Sequence, residues 1–443
     1  MKRLLLVLLI GLLGVGAVAQ EVSSSSSAAS VKAARATPVG RTVLPNGLVL
    51  LVNEAPAEDM VAVELLVKVG LVDEQTPTAG ITNVIQALIE KRVKEDKRLA
   101  ASGSLFEVST EPDYARISLL TTSENFPQLL DTLGKAIAQR TFDPAKVEEV
   151  TRDAVNNLEN PGNAYTQLYG IFRNAFYRYH PYRKSDRGRK LSLERLKPGT
   201  LAEFFDRYYV PNRMVLSISG RVDRLAVVES VKASFGALAP GDSHVIEVPW
   251  EAKPVEKQVN LSTSADIAWL FIGFPGPSVA SRDYIPMTLV HAILGDGLSS
   301  RLFNEIREKR GLAYEVGATY PILRGPSHFL TYVITRPNDA GKVRRTLLAE
   351  VDRMKTERIT ITELEAAKRK ATGRYLLAHE TNRDRALKLA EAETIGLGFQ
   401  FDQNYLEQLE RVTPEDIQRV STTYLVDPTL IVARPGGRFY LDF

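Results

Sequence analysis

Tyr208-Tyr-Val-Pro-Asn-Arg-Met-Val-Leu-Ser-Ile-Ser-Gly220 and Thr423-Tyr-Leu-Val-Asp-Pro-Thr-Leu-Ile-Val-Ala-Arg-Pro-Gly436 share one layout, in which Tyr and Pro precede an apolar run that ends at or near Gly. A short unbroken apolar run with such punctuation reads as a buried strand. Each is preceded by a helix-start signal. The first is Leu196-Lys-Pro-Gly-Thr-Leu-Ala-Glu-Phe-Phe and the second is Val412-Thr-Pro-Glu-Asp-Ile-Gln-Arg-Val. In the second, Thr413 suits the N-cap and Pro414 the first helical position.

Outward from these two stretches the same order of elements recurs. The first half opens with strand-like segments over Thr42–Asn53, broken by a Pro45-Asn46-Gly47 turn, and over Val61–Val69. A helix follows Gly80, then a polar-alternating stretch over Phe106–Thr122 and helices near Phe126–Arg140 and Pro144–Leu158. The second half opens with Ala268-Trp-Leu-Phe-Ile-Gly-Phe274 and a helix from Tyr284 to Ile293. A strand pair over Tyr314–Tyr320 and His328–Thr335 follows, then helices over Ala340–Lys355 and Thr362–His379. The pattern predicts an α+β chain of two homologous α/β sandwich domains, each an antiparallel sheet with helices packed on one face, produced by internal duplication. The domains are expected over 38–240 and 250–443, divided near Pro240–Pro254, where Pro, Gly and Ser cluster around Trp250.

The first 19 residues read as a signal peptide. Lys2 and Arg3 precede an apolar Leu4–Val18, and Ala17-Val18-Ala19 offers a small-x-small cleavage site. The apolar run is shorter than the ~20 residues of a spanning helix, so cleavage rather than stable membrane insertion is expected. Residues 20–37, with Ser23–Ser27 in one block, read as a flexible tether. The chain is therefore expected to be exported, periplasmic or extracellular in a bacterium. Loss of Lys2 and Arg3 takes the formal charge from +3 to +1, which favours neither nucleic acid nor anionic membrane. The absence of Cys removes disulfides and thiolate metal sites.

Catalytic arrangements are also scarce. The five histidines, His180, His244, His291, His328 and His379, are at least 37 residues apart. A helix presents two ligands on one face only at i, i+3 or i+4, so no paired-His helical zinc site exists. No Ser-His or Cys-His nucleophile can be argued either.

Two stretches carry a resemblance. Gly295-Asp-Gly-Leu-Ser-Ser-Arg-Leu-Phe-Asn-Glu-Ile-Arg-Glu-Lys-Arg-Gly-Leu-Ala-Tyr314 is the more specific; Ala175-Phe-Tyr-Arg-Tyr-His-Pro-Tyr182, with the basic Gly loop and Phe204–Gly220 after it, is the other. Over nearly all of the chain beyond the signal the sequence resembles the pitrilysin/insulinase-type zinc peptidases, whose signature is His-x-x-Glu-His on a helix. It is most similar to their short bacterial two-domain form and to mitochondrial processing peptidase subunits. The resemblance implies sandwiches that associate in pairs around a closed chamber.

Aligned on Gly80-Ile-Thr-Asn-Val-Ile-Gln-Ala-Leu88, the resemblance places Asn83 and Ala87 where the family has its zinc histidines and Gln86 where it has its general base. The third ligand would fall in Ala154–Glu159, at Asn157 or Leu158, with Glu159 one slip of register away. This degenerate set predicts no metal and no cofactor in this chain. What survives is Arg307 and, seven residues on, Tyr314, which the resemblance implies hold the substrate backbone and donate to the oxyanion. Arg310 is the alternative by one turn. Lys184–Lys190 reads as a solvated basic surface loop. The expected function is that of a non-catalytic, substrate-binding and oxyanion-stabilising subunit of an exported zinc metallopeptidase, inactive alone. Its expected partners are a homologous zinc-bearing subunit, in a heterodimer, and a peptide substrate. The alternative is an inert peptide-binding scaffold of the same fold.

Overall fold

The computed structural model describes residues 39–57, 59–159, 162–243 and 258–436. The expected signal peptide, the whole of the tether and most of the expected domain boundary lie outside the described residues. The first sheet contains β1 (Gly40–Val43), β2 (Val49–Glu54), β3 (Met60–Val67), β4 (Leu105–Thr110), β5 (Ala115–Thr122) and β6 (Met214–Gly220), in the order β1-β2-β6-β3-β5-β4. The second contains β7 (Gln258–Thr263), β8 (Ala268–Gly276), β9 (Glu315–Thr319), β10 (Ser327–Thr335) and β11 (Thr429–Pro435), in the order β7-β11-β8-β10-β9. Apart from β1, the two orders are one order used twice. The closing strands take the same place in each: β6 runs parallel to β2 and antiparallel to β3, and β11 parallel to β7 and antiparallel to β8. Each sheet is thus mixed rather than wholly antiparallel as expected, because a helical crossover brings the closing strand back in the direction of the opening one.

The first half's longer helices are α1 (Ile81–Lys94), α2 (Phe126–Ala138), α3 (Pro144–Glu159), α4 (Ala164–Phe176), α5 (Pro198–Tyr208) and α6 (Arg224–Phe235). The second half adds α7 (Tyr284–Leu294), α8 (Ala340–Thr356), α9 (Ile361–Leu377), α10 (Asn382–Thr394), α11 (Phe399–Glu410) and α12 (Pro414–Tyr424). Thr413 caps α12 by accepting from the Asp416 amide at 3.2 Å, and Asp416 reciprocates. That is the start predicted from Thr413-Pro414.

Helices cover both faces of each sheet, not one, and the second face is covered from the other half. Alternate strand residues face opposite ways. In the first sheet Leu50, Val63, Leu65 and Leu216 pack into a core with α1, α2, α5 and α6. Their neighbours Leu51, Leu66 and Val215 pack on Leu389 and Ala390 of α10. In the second sheet Leu270, Ile272 and Phe329 join a core with α7, α8, α9 and α12. Phe271, Leu330 and Ile431 instead meet Leu168, Phe172 and Phe176 of α4. Gly273 makes this approach possible, since a Cβ there would lie 2.2 Å from the Phe172 ring.

Polar contacts fix both exchanged helices. Under α10 the fully buried Glu64 accepts from Arg116 Nε and Nη2 and from Ser118 Oγ, each at 2.8 Å, and Arg383 of α10 lies 3.8 Å away. Asn382 Nδ2 donates to the Met60 carbonyl at 3.1 Å, and the Tyr114 hydroxyl donates to Glu391 at 2.7 Å. Under α4 the counterpart is His328 of β10. Its Nε2 lies 3.0 Å from the Tyr169 hydroxyl and its Nδ1 2.8 Å from the Tyr177 hydroxyl, which donates to the Pro326 carbonyl at 3.1 Å. A neutral ring with the proton on Nδ1 satisfies all three groups.

Burial, with Arg173 adding to it, pushes the His328 pKa down to about 3. The unfolded chain therefore takes up a proton on this residue that the folded chain refuses, and stability is lost as pH falls from ~6.5 toward about 3. Burial raises the Glu74 and Asp113 carboxyls, which act in the opposite sense. Because these cancel between variant and parent, His328→Gln should lose less stability than the parent between pH 7 and pH 5 in urea unfolding. Equal losses would show that His328 does not couple the junction to pH.

Candidate functional site

The helix that would carry the ligand positions is held by backbone geometry and one carboxylate. Gly80 begins α1 at φ 91°, and a Cβ there would meet the Cα of Gly188 at 2.8 Å. Glu74, 2% exposed, closes the helix start: its oxygens accept from the amides of Gly80 at 2.8 Å and Thr82 at 3.1 Å. A carboxylate at a helix N-terminus satisfies orphan donors and opposes the positive end of the helix dipole. Lys184 lies close by, its Nζ donating to the carbonyls of Leu71 at 3.2 Å and Glu74 at 2.5 Å. The Lys184–Lys190 loop is thus not simply a solvated face: Lys184 points inward and Arg187 donates to the Asn157 carbonyl on α3. Sequence reasoning missed Glu74, whose one signal is an acid six residues ahead of a helix-starting glycine.

On α1, Val84, Ile85, Leu88 and Ile89 are buried in the first core. Gln86 is buried too, and its Nε2 donates to the carbonyls of Ser109 at 3.2 Å and Arg116 at 3.1 Å, pinning α1 to the β4–β5 hairpin. Its Oε1 accepts no hydrogen bond among the described residues. Ala87 packs on the core and Asn83 is half-buried. Helix α3 packs against α1, with Asn157 exposed and Leu158 against the core. The side chain of Glu159 lies outside the described residues. Among the described residues no group of three His, Cys, Asp or Glu is close enough to hold a metal. The helix pair is present, but two amides and a methyl group do not suit zinc, which takes imidazole, thiolate or carboxylate.

The second stretch follows α7. Leu302, Phe303 and Ile306 anchor it in the second core. Phe303–Glu308 is wound as a π-helix, with the Lys309 amide donating to the Asn304 carbonyl at 2.9 Å. Gly311, at φ 59°, ends it. Such widened turns occur often at functional sites. Its cations are in unequal states. Arg301 holds Glu363 through two bonds of 2.7 Å, while Arg310 and Lys309 both hold Glu305. Among the described residues Arg307 alone of these four forms no ion pair; its guanidinium stands 5.2 Å from the centre of the Phe303 ring. The alternative, Arg310, is committed to Glu305.

Tyr314 is 57% exposed. Its backbone amide donates to the Ile334 carbonyl at 2.8 Å, fixing it at the head of β9, while its hydroxyl makes no hydrogen bond among the described residues. Arg307 and Tyr314 lie in the second half, whereas Asn83, Gln86 and Ala87 lie on α1 of the first. The described histidines are all engaged: His180 accepts from the Tyr182 amide, His291 contacts the Ala318 carbonyl, and His379 bridges the Tyr375 carbonyl and Asp402. His244 lies outside the described residues.

Residues 195–371 match the family model described as Peptidase M16 inactive domain. An uncharacterized zinc protease of Rickettsia felis is 27% identical over 406 residues, covering 88% of this chain and 93% of that protein. Zinc protease PqqE of Helicobacter pylori is 25% identical, over 87% and 89% respectively. Among solved structures, a protease from Helicobacter pylori superposes with a TM-score of 0.82 at 22% identity, over 90% of this chain and 100% of that one. A peptidase M16 inactive domain from Pseudomonas fluorescens gives 0.82 at 19% identity, over 91% and 99%. The fold is thus that of M16-like peptidases, two α/β sandwiches, and residues 195–371 are similar to the M16 inactive domain, in keeping with the pitrilysin/insulinase-type group the motifs resemble.

Proposed function

We propose that this chain is the substrate-holding subunit of an exported zinc peptidase, working beside a homologous chain that brings the zinc and the general base. One contrast carries the reading. The positions that would bind metal hold Asn83, Gln86 and Ala87, yet Arg307 and Tyr314 stand unpaired and exposed beside cations that are all neutralised. An exposed guanidinium on an aromatic platform can engage peptide carbonyls, and a free phenol at a strand head can donate to a developing oxyanion. The signal-like segment at Lys2–Ala19 supports export.

Two outcomes test this. The chain without its signal segment should retain far less than one zinc per chain after dialysis, read by elemental analysis; about one per chain would contradict the reading. Restoring Asn83→His, Gln86→Glu and Ala87→His should not repair it. A carboxylate at position 86 would replace a donor with an acceptor facing the Ser109 and Arg116 carbonyls and should cost ~1–3 kcal/mol of stability.

With the zinc-bearing chain present, Tyr314→Phe should lower turnover by roughly 10²–10³-fold with little change in substrate affinity. Arg307→Ala should raise KM as well, since its contact acts in ground and transition states alike. Unchanged rates for both variants in an intact complex would leave an inert peptide-binding scaffold instead.

A further inference from the structure

In order along the chain, α7 and α9 of the second half occupy the places of α1 and α3 in the first. Both pairs pack on core side chains, but the second is flanked by open space. Between α7, α9, α10 and α11 lies a cavity of about 230 Å³. Its walls are mostly carbon, from Val279, Ala292, Ile395 and Leu397 and the rings of Phe401 and Tyr405.

Nearly every polar group on these walls is already occupied. His379 is held by Asp402 at 2.8 Å, Tyr375 donates to the Asp402 carbonyl at 2.9 Å, and Lys388 holds Glu391 at 2.6 Å. Among the described residues the buried wall group that keeps an open acceptor is Asp296, which is 4% exposed. Arg374 donates to its Oδ1, but its Oδ2 accepts no hydrogen bond. Lys370 Nζ lies 3.4 Å from that oxygen, within ion-pair range but without hydrogen-bond geometry. A buried acceptor left open costs ~1–3 kcal/mol, and a donor placed in the cavity recovers it.

The charges also define the ligand. Arg374 and Lys370 already balance Asp296, so no excess negative charge remains to draw a cation. Nor is an anion drawn, because Arg374 and Lys370 are engaged with Asp296 and Lys388 with Glu391. The volume exceeds the ~150 Å³ of an engineered apolar cavity that accepts benzene, so one ring with a substituent fits. We propose that this cavity is a binding site for a small neutral molecule with one ring-sized apolar body and one hydrogen-bond donor. Phenol is the simplest case, its hydroxyl reaching Asp296 Oδ2.

The site has a structural consequence. Helix α10 presents Lys388, Ala392 and Ile395 to the cavity and Leu389 and Ala390 to the first sheet. A molecule in the cavity therefore braces the helix that joins the halves. The inference does not depend on the proposed function.

Phenol and toluene, titrated into the chain without its signal segment, test it by calorimetry and by hydrogen exchange. Phenol should bind with a Kd of about 1 mM or below, toluene about tenfold more weakly, and amide exchange over Asn382–Thr394 should slow in phenol. Asp296→Ala should reduce phenol binding to the level of toluene. Ala378→Phe, which fills the cavity from the half-buried end of α9, should abolish binding, with Ala292→Leu as a second filling variant should the first not fold. Absence of phenol binding at about 10 mM, or undiminished binding in a folded filled variant, would overturn the site. Equal affinity for phenol and toluene would overturn the role of Asp296.

Discussion

Each sheet of this protein has two apolar faces, and each half supplies enough helix to cover only one from its own core. The rest of the structure depends on how that deficit is met. Leu51, Leu66 and Val215 would lie bare without α10, and Phe271, Leu330 and Ile431 without α4. Burying a side chain of this size is worth roughly 1.5–3 kcal/mol, so each exchanged helix secures several residues at once. Neither half can be completed alone, which explains why the described residues form one compact unit despite two sheets and two main cores.

The exchange is specified by buried polar groups as well as by apolar area. Glu64 lies in the middle of a central strand, fully buried, where a charge survives only if paired and hydrogen-bonded. Arg116, Ser118 and Arg383 meet that need, and the last comes from the other half. His328 does the same in the second sheet through Tyr169 and Tyr177. These groups fix the register of each helix on its sheet, because a slip would leave a buried charge or imidazole without partners.

Local signals in the sequence mark most elements to within a few residues. Pro45-Asn46-Gly47, Gly80 and Thr413-Pro414 stand at a turn and two helix starts, because caps and turns are short-range physics. The duplication is legible in the two closing strands, and the strand orders repeat accordingly. Those strands read as buried runs, and a strand buried on both faces needs cover on both. Which helices provide it depends on contacts between residues more than a hundred positions apart, and periodicity holds no trace of that. β7, Gln-Val-Asn-Leu-Ser-Thr, escapes notice because its apolar content is low. In the site, the loss of ligand types at Asn83, Gln86 and Ala87 is plain in the letters. The amide bonds of Gln86, the Glu74 cap and the π-turn under Arg307 are three-dimensional facts.

The Gln86 side chain joins α1 to the β4–β5 hairpin, and a carboxylate in its place would lose that bond. The side chains of Arg307 and Tyr314 carry no such bond among the described residues, which on the proposed reading leaves them for a function shared with another chain. The most direct measurement is cleavage of an unfolded peptide by this chain, by a homologous chain bearing His-x-x-Glu-His, and by the two mixed, with zinc supplied to all three. The account predicts that this chain alone is inactive and that the mixture far exceeds the partner alone. Zinc-dependent cleavage by this chain alone, or a mixture no faster than the partner, would contradict it.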